Sequence, residues 1–354
     1  MTRRSLLLLP GAAVLLGQAP RGGDPQNLSF PLEAIEGGIT PPDLFFVRDH
    51  FSEPGLSLDS WKLRIEGRVR RPLELSLADL LEAPTRKLEA VLECAGNVAG
   101  GSAVSNGVWE GVPIAHLLDE AGTDREAEGV LLEGADTGRL MQNSPRLPYC
   151  QLVTMAKCRQ PESMVAFKLN DRFLPRRNGF PARAFFPGWY GMDAVKWLTR
   201  IVVLGPGGAP NNFQASGMEQ VYNRVTAEPG GQRKIVRLSE IQVKSAIAWP
   251  ADKMKLPAGR HLVRGFAWTG GGPVRRVEVS TEGGRTWTAA QLAGIPKPLS
   301  WVAWRYSWNA SPGDHVLMSR ATDGAGRTQP LTRDPARKDG YELNFCLPVR
   351  CEVR

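Results

Sequence analysis

Apolar and polar positions change period several times along the first two hundred residues, and each change predicts an element. Trp61, Leu63, Ile65 and Val69 fall on one alternating face, which predicts a strand over residues 61 to 70. Ser76 with Asp79 has the pattern of a helix start, and Leu77, Leu80 and Leu81 form a short apolar stripe that Pro84 ends. Leu88, Ala90 and Leu92 alternate as a half-buried strand that runs into Cys94 and a loop of small residues. Pro113 then stands in the first turn of a helix whose buried stripe is Ile114, Leu117, Leu118 and Ala121 and whose stop is Gly122, with His116 facing solvent. Upstream, PPDLFFVRDHF (41 to 51) reads as a short buried strand with a polar end at Arg48, Asp49 and His50.

From Met164 to Leu204 the pattern is strand-rich, and residues 205 to 231 are a long irregular connection able both to cover a site and to join two domains. Beyond Ile235, short alternating runs recur with GGGP, EGGR and DGAG between them, the signature of an all-β sandwich. The chain therefore divides into a leader (1 to 24), an α+β domain of mixed α/β character (25 to 234) and a sandwich (235 to 354).

With 42% hydrophobic and 23% charged residues, both domains can bury their own cores. The opening MTRRSLLLLPGAAVLLGQA has paired arginines, an apolar run and small residues at a cleavage site. It reads as a twin-arginine signal peptide, which predicts export in the folded state to the periplasm. An N-terminal anchor is the alternative, but the run is short and broken by Pro10. Cleavage after Ala19 would remove Arg3 and Arg4 and lower the formal net charge from +8 to +6. That basicity can steer an anion or an acidic redox partner, and no nucleic-acid partner is expected. Cys94, Cys150, Cys158, Cys346 and Cys351 include no Cys-x-x-Cys pair and no Cys-x-x-Cys-His, so neither c-type haem nor a four-cysteine metal site is expected.

Two features suggest chemistry. Cys94 ends a strand among Ala and Gly residues that leave room for a large group beside the sulfur, and a buried structural thiol is the equal alternative. Arg48, Asp49 and His50, with Arg183 and Lys196 among turns and apolar strands, suggest a bound anion; the alternative is a set of salt bridges, for which Asp193 is available.

Taken together, FFVRDH (45 to 50), LECAGN (92 to 97), EGAD (133 to 136), NGFPARAFFPGWYGMDAVKWLTRI (178 to 201), VKSAIAWP, GFAWTGGG and STEGGRTW resemble the sulfite oxidase family of molybdenum enzymes over nearly the whole mature length. The resemblance implies a sulfite-oxidase-type molybdopterin domain followed by an immunoglobulin-like dimerisation domain, hence a homodimer. It implies one molybdenum–molybdopterin per chain with Cys94 as metal ligand, where a soft sulfur donor suits a redox metal. It places cofactor contacts at Arg48, Asp49, His50, Asp136, Asn178, Arg183, Ala194, Val195 and Lys196, and a catalytic role at Tyr149. Oxygen-atom transfer on a small oxyanion follows, with electrons passed to an external carrier such as a c-type cytochrome.

The chain departs from the family at Val98 and Ala99 after CAGN, at Val108 and at Asn178, where relatives carry arginines and a histidine. Fewer cations weaken the expectation of sulfite as substrate and favour reduction of an S-oxide or N-oxide on the same cofactor. A non-catalytic binding or assembly protein and a Cys94 thiol nucleophile are the remaining readings; the latter has no base tied to it in sequence.

Overall fold

The computed structural model describes residues 25–140, 142–208, 218, 221–227, 232–335, 337 and 339–354. The twin-arginine segment lies outside the described residues. Among them, no helix is long and apolar enough to cross a membrane.

The first domain packs two five-stranded sheets face to face. One orders Arg172–Phe173, Met164–Leu169, Val104–Pro113 and Arg86–Glu93, with Arg183–Phe185 also paired to Met164–Leu169. The other orders Leu73–Leu75, Leu63–Gly67, Leu198–Leu204, Gly129–Gly138 and Leu147–Thr154; Leu198–Leu204 runs parallel to Leu63–Gly67 and antiparallel to Gly129–Gly138. Leu63, Ile65, Leu131 and Ile201 from the second sheet meet Val112, Val165 and Phe167 from the first, in the main core. The helix Ile114–Ala121 buries its predicted stripe in that core and ends at Gly122, whose φ of 68° is left-handed. The helix Leu77–Glu82 starts on a capping box between Ser76 and Asp79.

Several expectations are corrected. Leu81 is 42% exposed, because a six-residue helix turns only Leu80 fully inward. Residues 41 to 51 are not a continuous strand: Pro41 and Pro42 fix φ and start a 3-10 turn over Pro42–Leu44, and only Val47–Arg48 pairs, with Asn27–Leu28. The connection after Gly205 is not irregular throughout: it includes a hairpin, Asn223–Ala227 with Arg233–Arg237. Val225 and Ile235 oppose one another there and are exposed, and a polar ribbon of this kind carries little periodic signal.

The sandwich proper begins at Lys244–Trp249. One sheet orders Lys244–Trp249, Gly259–Trp268, Val302–Ala310 and Gln291–Leu292. The other orders Met254–Leu256, Val349–Val353, Gly313–Asp323, Val274–Ser280 and Thr288–Ala289. Thr288–Ala289 and Gln291–Leu292 are separated by one residue yet lie in different sheets, so the chain crosses between the sheets at Ala290. Val263, Val277, Trp304 and Leu317 fill the space between them. A separate apolar cluster joins the domains, with Val91, Ala95 and Tyr190 against Phe266, Trp268 and Trp301. Cys94, Cys158, Cys346 and Cys351 carry free thiols.

Candidate active site

Strand pairing places Cys94. Arg86–Glu93 and Val104–Pro113 run antiparallel down to Glu93 opposite Val104, so the intervening loop projects from the end of the sheet. Cys94 donates its N–H to the Ala103 carbonyl at 3.0 Å, and Asn97 closes a turn onto the Cys94 carbonyl at 2.9 Å. A Cβ on Gly101 would collide with the Asn97 side-chain oxygen, which explains that glycine. Segment 339–347 of the second domain lies over the loop, with the Glu342 N–H on the Ala95 carbonyl at 2.9 Å.

The half-buried Cys94 lines a cavity. Arg48 and His50 reach it from the short N-terminal strand. Asp136 and Tyr149 come from two neighbouring strands of the second sheet. Asn178, Arg183, Ala194 and Lys196 come from the turn-rich segment. Two predicted residues do not line it. Asp49 stands behind, paired with Lys196, and Val195 is buried in the main core with its carbonyl bonded to Ala184.

Arg183 is the most informative group. It is 3% exposed, donates to the Asn178 carbonyl at 3.0 Å and the Ala194 carbonyl at 2.8 Å, and stacks 5.5 Å from the Trp109 ring. Among the described residues it forms no ion pair, and its Nε has no partner. Burial pushes its pKa down to about 9. The expected salt-bridge alternative through Asp193 does not occur, since Asp193 pairs with Arg237 at 2.6 Å. Burial also depresses Lys196, against the opposing pull of Asp49, while its Nζ donates to the Arg177 carbonyl at 3.0 Å.

On the same cavity Asp136 Oδ1 and Asn178 Oδ1 are buried without partners. Burial pushes Asp136 up to about 7. His50, buried and beside Arg48, is pushed down to about 4 and is neutral at pH 7. The Tyr149 hydroxyl donates to the Met192 carbonyl at 2.9 Å and accepts from Gln151 at 3.1 Å. Tyr222, which sequence reasoning missed, puts its hydroxyl 3.2 Å from the His50 ring nitrogens and lines the cavity. The one available signal was that residues 205 to 231, expected to cover a site, contain a single tyrosine.

Three of the four departures from the resemblance lie elsewhere. Ala99 is 1% exposed and lines a separate cleft with Ser245 and Leu347, and neither Val98 nor Val108 lines the Cys94 cavity. Asn178 does line it.

Among the described residues no three His, Cys, Asp or Glu side chains gather as metal ligands. A metal at Cys94 must therefore bring most of its donors with it. A cavity with one thiol, an unpaired buried cation and unsatisfied acceptors fits a metal–pterin group, which brings an anionic end and N–H donors.

Comparison with known proteins agrees. A profile for the oxidoreductase molybdopterin binding domain matches residues 50–206, and one for the Mo-co oxidoreductase dimerisation domain matches residues 235–336. Sulfite oxidase of Gallus gallus is 32% identical over 86% of this chain and 71% of its own length. The mitochondrial sulfite oxidase of Homo sapiens is 32% identical over 88% of this chain and 61% of its own. The structure of the sulfane dehydrogenase SoxCD from Paracoccus pantotrophus superposes with a TM-score of 0.80 at 27% identity, covering 92% of this chain and 87% of that one.

Proposed function

Because the chain belongs to the sulfite oxidase family of molybdopterin-dependent oxidoreductases, we propose that it acts in the periplasm, after twin-arginine export, as a sulfite-dehydrogenase-like enzyme for a small sulfur oxyanion. Its electrons go to an external c-type cytochrome, and it works as a homodimer joined through the sandwich. When bound, the molybdenum cofactor supplies two-electron oxygen-atom transfer. The protein's part is to hold, orient and exclude.

Cys94 is the metal ligand the chain provides. Arg183 and Lys196 hold the cofactor's anionic end with charge-assisted hydrogen bonds, with Asp49 fixing Lys196 from behind. Asp136 and Asn178 accept from its N–H groups through the oxygens that otherwise have no partner. Arg48, exposed at the mouth, is the cation an incoming oxyanion meets first. Farther in, His50, Tyr149 and Tyr222 offer uncharged polar groups that orient the substrate's oxygens. The observation that carries this reading is Arg183, a buried cation without a counter-ion on the wall of the cavity that Cys94 lines.

A second reading keeps the cofactor and reverses the reaction, reducing an S-oxide or N-oxide. It is favoured by the neutral His50, Tyr149 and Tyr222 wall. Molybdenum and pterin analysis of protein from a cofactor-competent host tests the shared core, with about one metal per chain expected. Turnover of sulfite with ferricytochrome c, set against a panel of S-oxides and N-oxides with a reduced dye, separates the two directions. Activity on neither set would overturn both.

A further inference from the structure

The strand end that bears Cys94 is gripped from the second domain by an ion pair with no solvent contact. Glu93 and Lys244 are both 0% exposed, and Lys244 Nζ lies 2.6 Å from Glu93 Oε1. The other carboxylate oxygen accepts the Trp268 indole N–H at 2.9 Å, and Oε1 also accepts from Asn97 Nδ2 at 2.9 Å. Lys244 donates again to the Asn97 carbonyl at 3.2 Å and lies 5.4 Å from the centre of the Tyr190 ring. Lys244 and Trp268 oppose one another on adjacent strands of the sandwich, so one rigid element presents both donors.

Every one of these contacts ends on Glu93 or Asn97, the residues one before and three after the thiol, or on the ring of Tyr190. The Ala103 N–H on Asn97 Oδ1 at 3.1 Å completes the brace. A dry ion pair is a poor means of gluing two domains, because packed apolar side chains of similar volume do so as well or better. What directional charged hydrogen bonds add is geometry. We infer that Lys244, with Trp268, is a positioning residue for the metal-ligating thiol, so that the sandwich sets where Cys94 stands relative to the cavity. The inference rests on Cys94 being the metal ligand.

The test uses the full chain from a cofactor-competent host, with Trp268→Phe, Lys244→Met and the double Glu93→Gln/Lys244→Met. Expected is a fall in kcat per bound metal of about 10- to 100-fold, the usual effect of removing a group that orients a ligand. KM should stay within about twofold, as when an interaction acts on the transition state alone. The electron paramagnetic resonance spectrum of the reduced metal should shift. In cofactor-free protein the alkylation rate of Cys94 should change, read against a Cys94→Ser blank. Trp268→Phe removes the indole N–H while keeping a smaller aromatic ring in its place, so it serves if Lys244→Met fails to fold. A wild-type spectrum, alkylation rate and kcat per metal in the soluble variants, even with a lower melting temperature, would show the brace to be structural only and overturn the inference. Wild-type protein without molybdenum would instead overturn the reading of Cys94 beneath it.

Discussion

Arg183→Met should leave the cofactor-free protein about as stable as before and strip the cofactor from the loaded one. In the unloaded protein, burial holds the Arg183 pKa at about 9, down from 12.5. At about 1.4 kcal/mol per tenfold, that depression opposes folding at pH 7 by on the order of 5 kcal/mol. Removing the cation relieves this but leaves the Asn178 and Ala194 carbonyls without their donor, at about 1–3 kcal/mol each. The opposing amounts nearly cancel, so cofactor-free Arg183→Met should lie within about 2 kcal/mol of wild type in urea denaturation. With an anion bound the sign is different. Loss of one member of a buried charge pair costs about 3–5 kcal/mol. Affinity should then fall by roughly 10²- to 10⁴-fold. Parallel preparations from cofactor-competent and cofactor-deficient hosts supply both measurements, and Arg183→Lys, which keeps charge but loses the planar fork, should fall between. Wild-type metal content in Arg183→Met, or a cofactor-free variant destabilised by more than about 4 kcal/mol, would refute the assignment of Arg183 to the ligand rather than the fold.

Three further outcomes follow from the same geometry. Cys94→Ser should lose molybdenum and turnover while its cofactor-free melting curve stays within about 1 kcal/mol of wild type, since the thiol is half-buried and small; metal analysis beside calorimetry checks both halves. In cofactor-free protein, Asp136 is pushed up to about 7 by burial, so its contribution to stability is fully present below about pH 4 and lost as pH rises through 7; Asp136→Asn should flatten the stability profile between those limits. Leu80→Ala should cost about 2–5 kcal/mol as a buried truncation, whereas Leu81→Ala, on the exposed side of the same helix, should stay within about 0.5 kcal/mol; equal losses would place the stripe wrongly.

The sequence was most legible where a periodic apolar face meets a punctuating residue. Ile114–Ala121, with its stripe and its Gly122 stop, and the long strands of the sandwich are of that kind. It was least legible where backbone pairing is polar and short: the hairpin at 223–237 has one apolar residue pair at its centre, and nothing in its pattern separates it from a loop. Arg48, His50, Arg183 and Lys196 were legible because charge at turn-rich positions is costly to bury without purpose, whereas Asp136, Tyr149, Asn178 and Ala194 came only with the resemblance. The resemblance implies cofactor contacts at Asp49 and Val195, whose side chains do not line the cavity, because neighbours in a motif point to different sides; Asp49 reaches the wall through Lys196. Tyr222 depends on how a hairpin folds back over the site, a long-range fact that no local period encodes.

How the chain disposes of buried charge separates scaffold from ligand site. Glu93 with Lys244, Asp193 with Arg237 and Glu342 with Arg224 are matched pairs, each closed by protein alone. Each finds its counter-ion within the protein, although Asp193 Oδ2 and Arg224 Nε have no partner of their own among the described residues. Arg183 and Asp136 share the same surroundings but have no oppositely charged partner at ion-pair distance among the described residues, and both are shifted by burial toward their neutral forms. A fold that can supply a counter-ion a few residues away, as it does for Arg237, has no physical reason to leave Arg183 without one unless something else brings the charge. The orphaned groups and the only half-buried cysteine line one cavity, while the matched Glu93–Lys244 pair lies directly behind that cysteine's loop. On the proposed function the chain keeps its cofactor wall unsatisfied and the Glu93–Lys244 support behind it paired, so that binding an anionic metal–pterin group would discharge the wall without loosening the loop that carries Cys94.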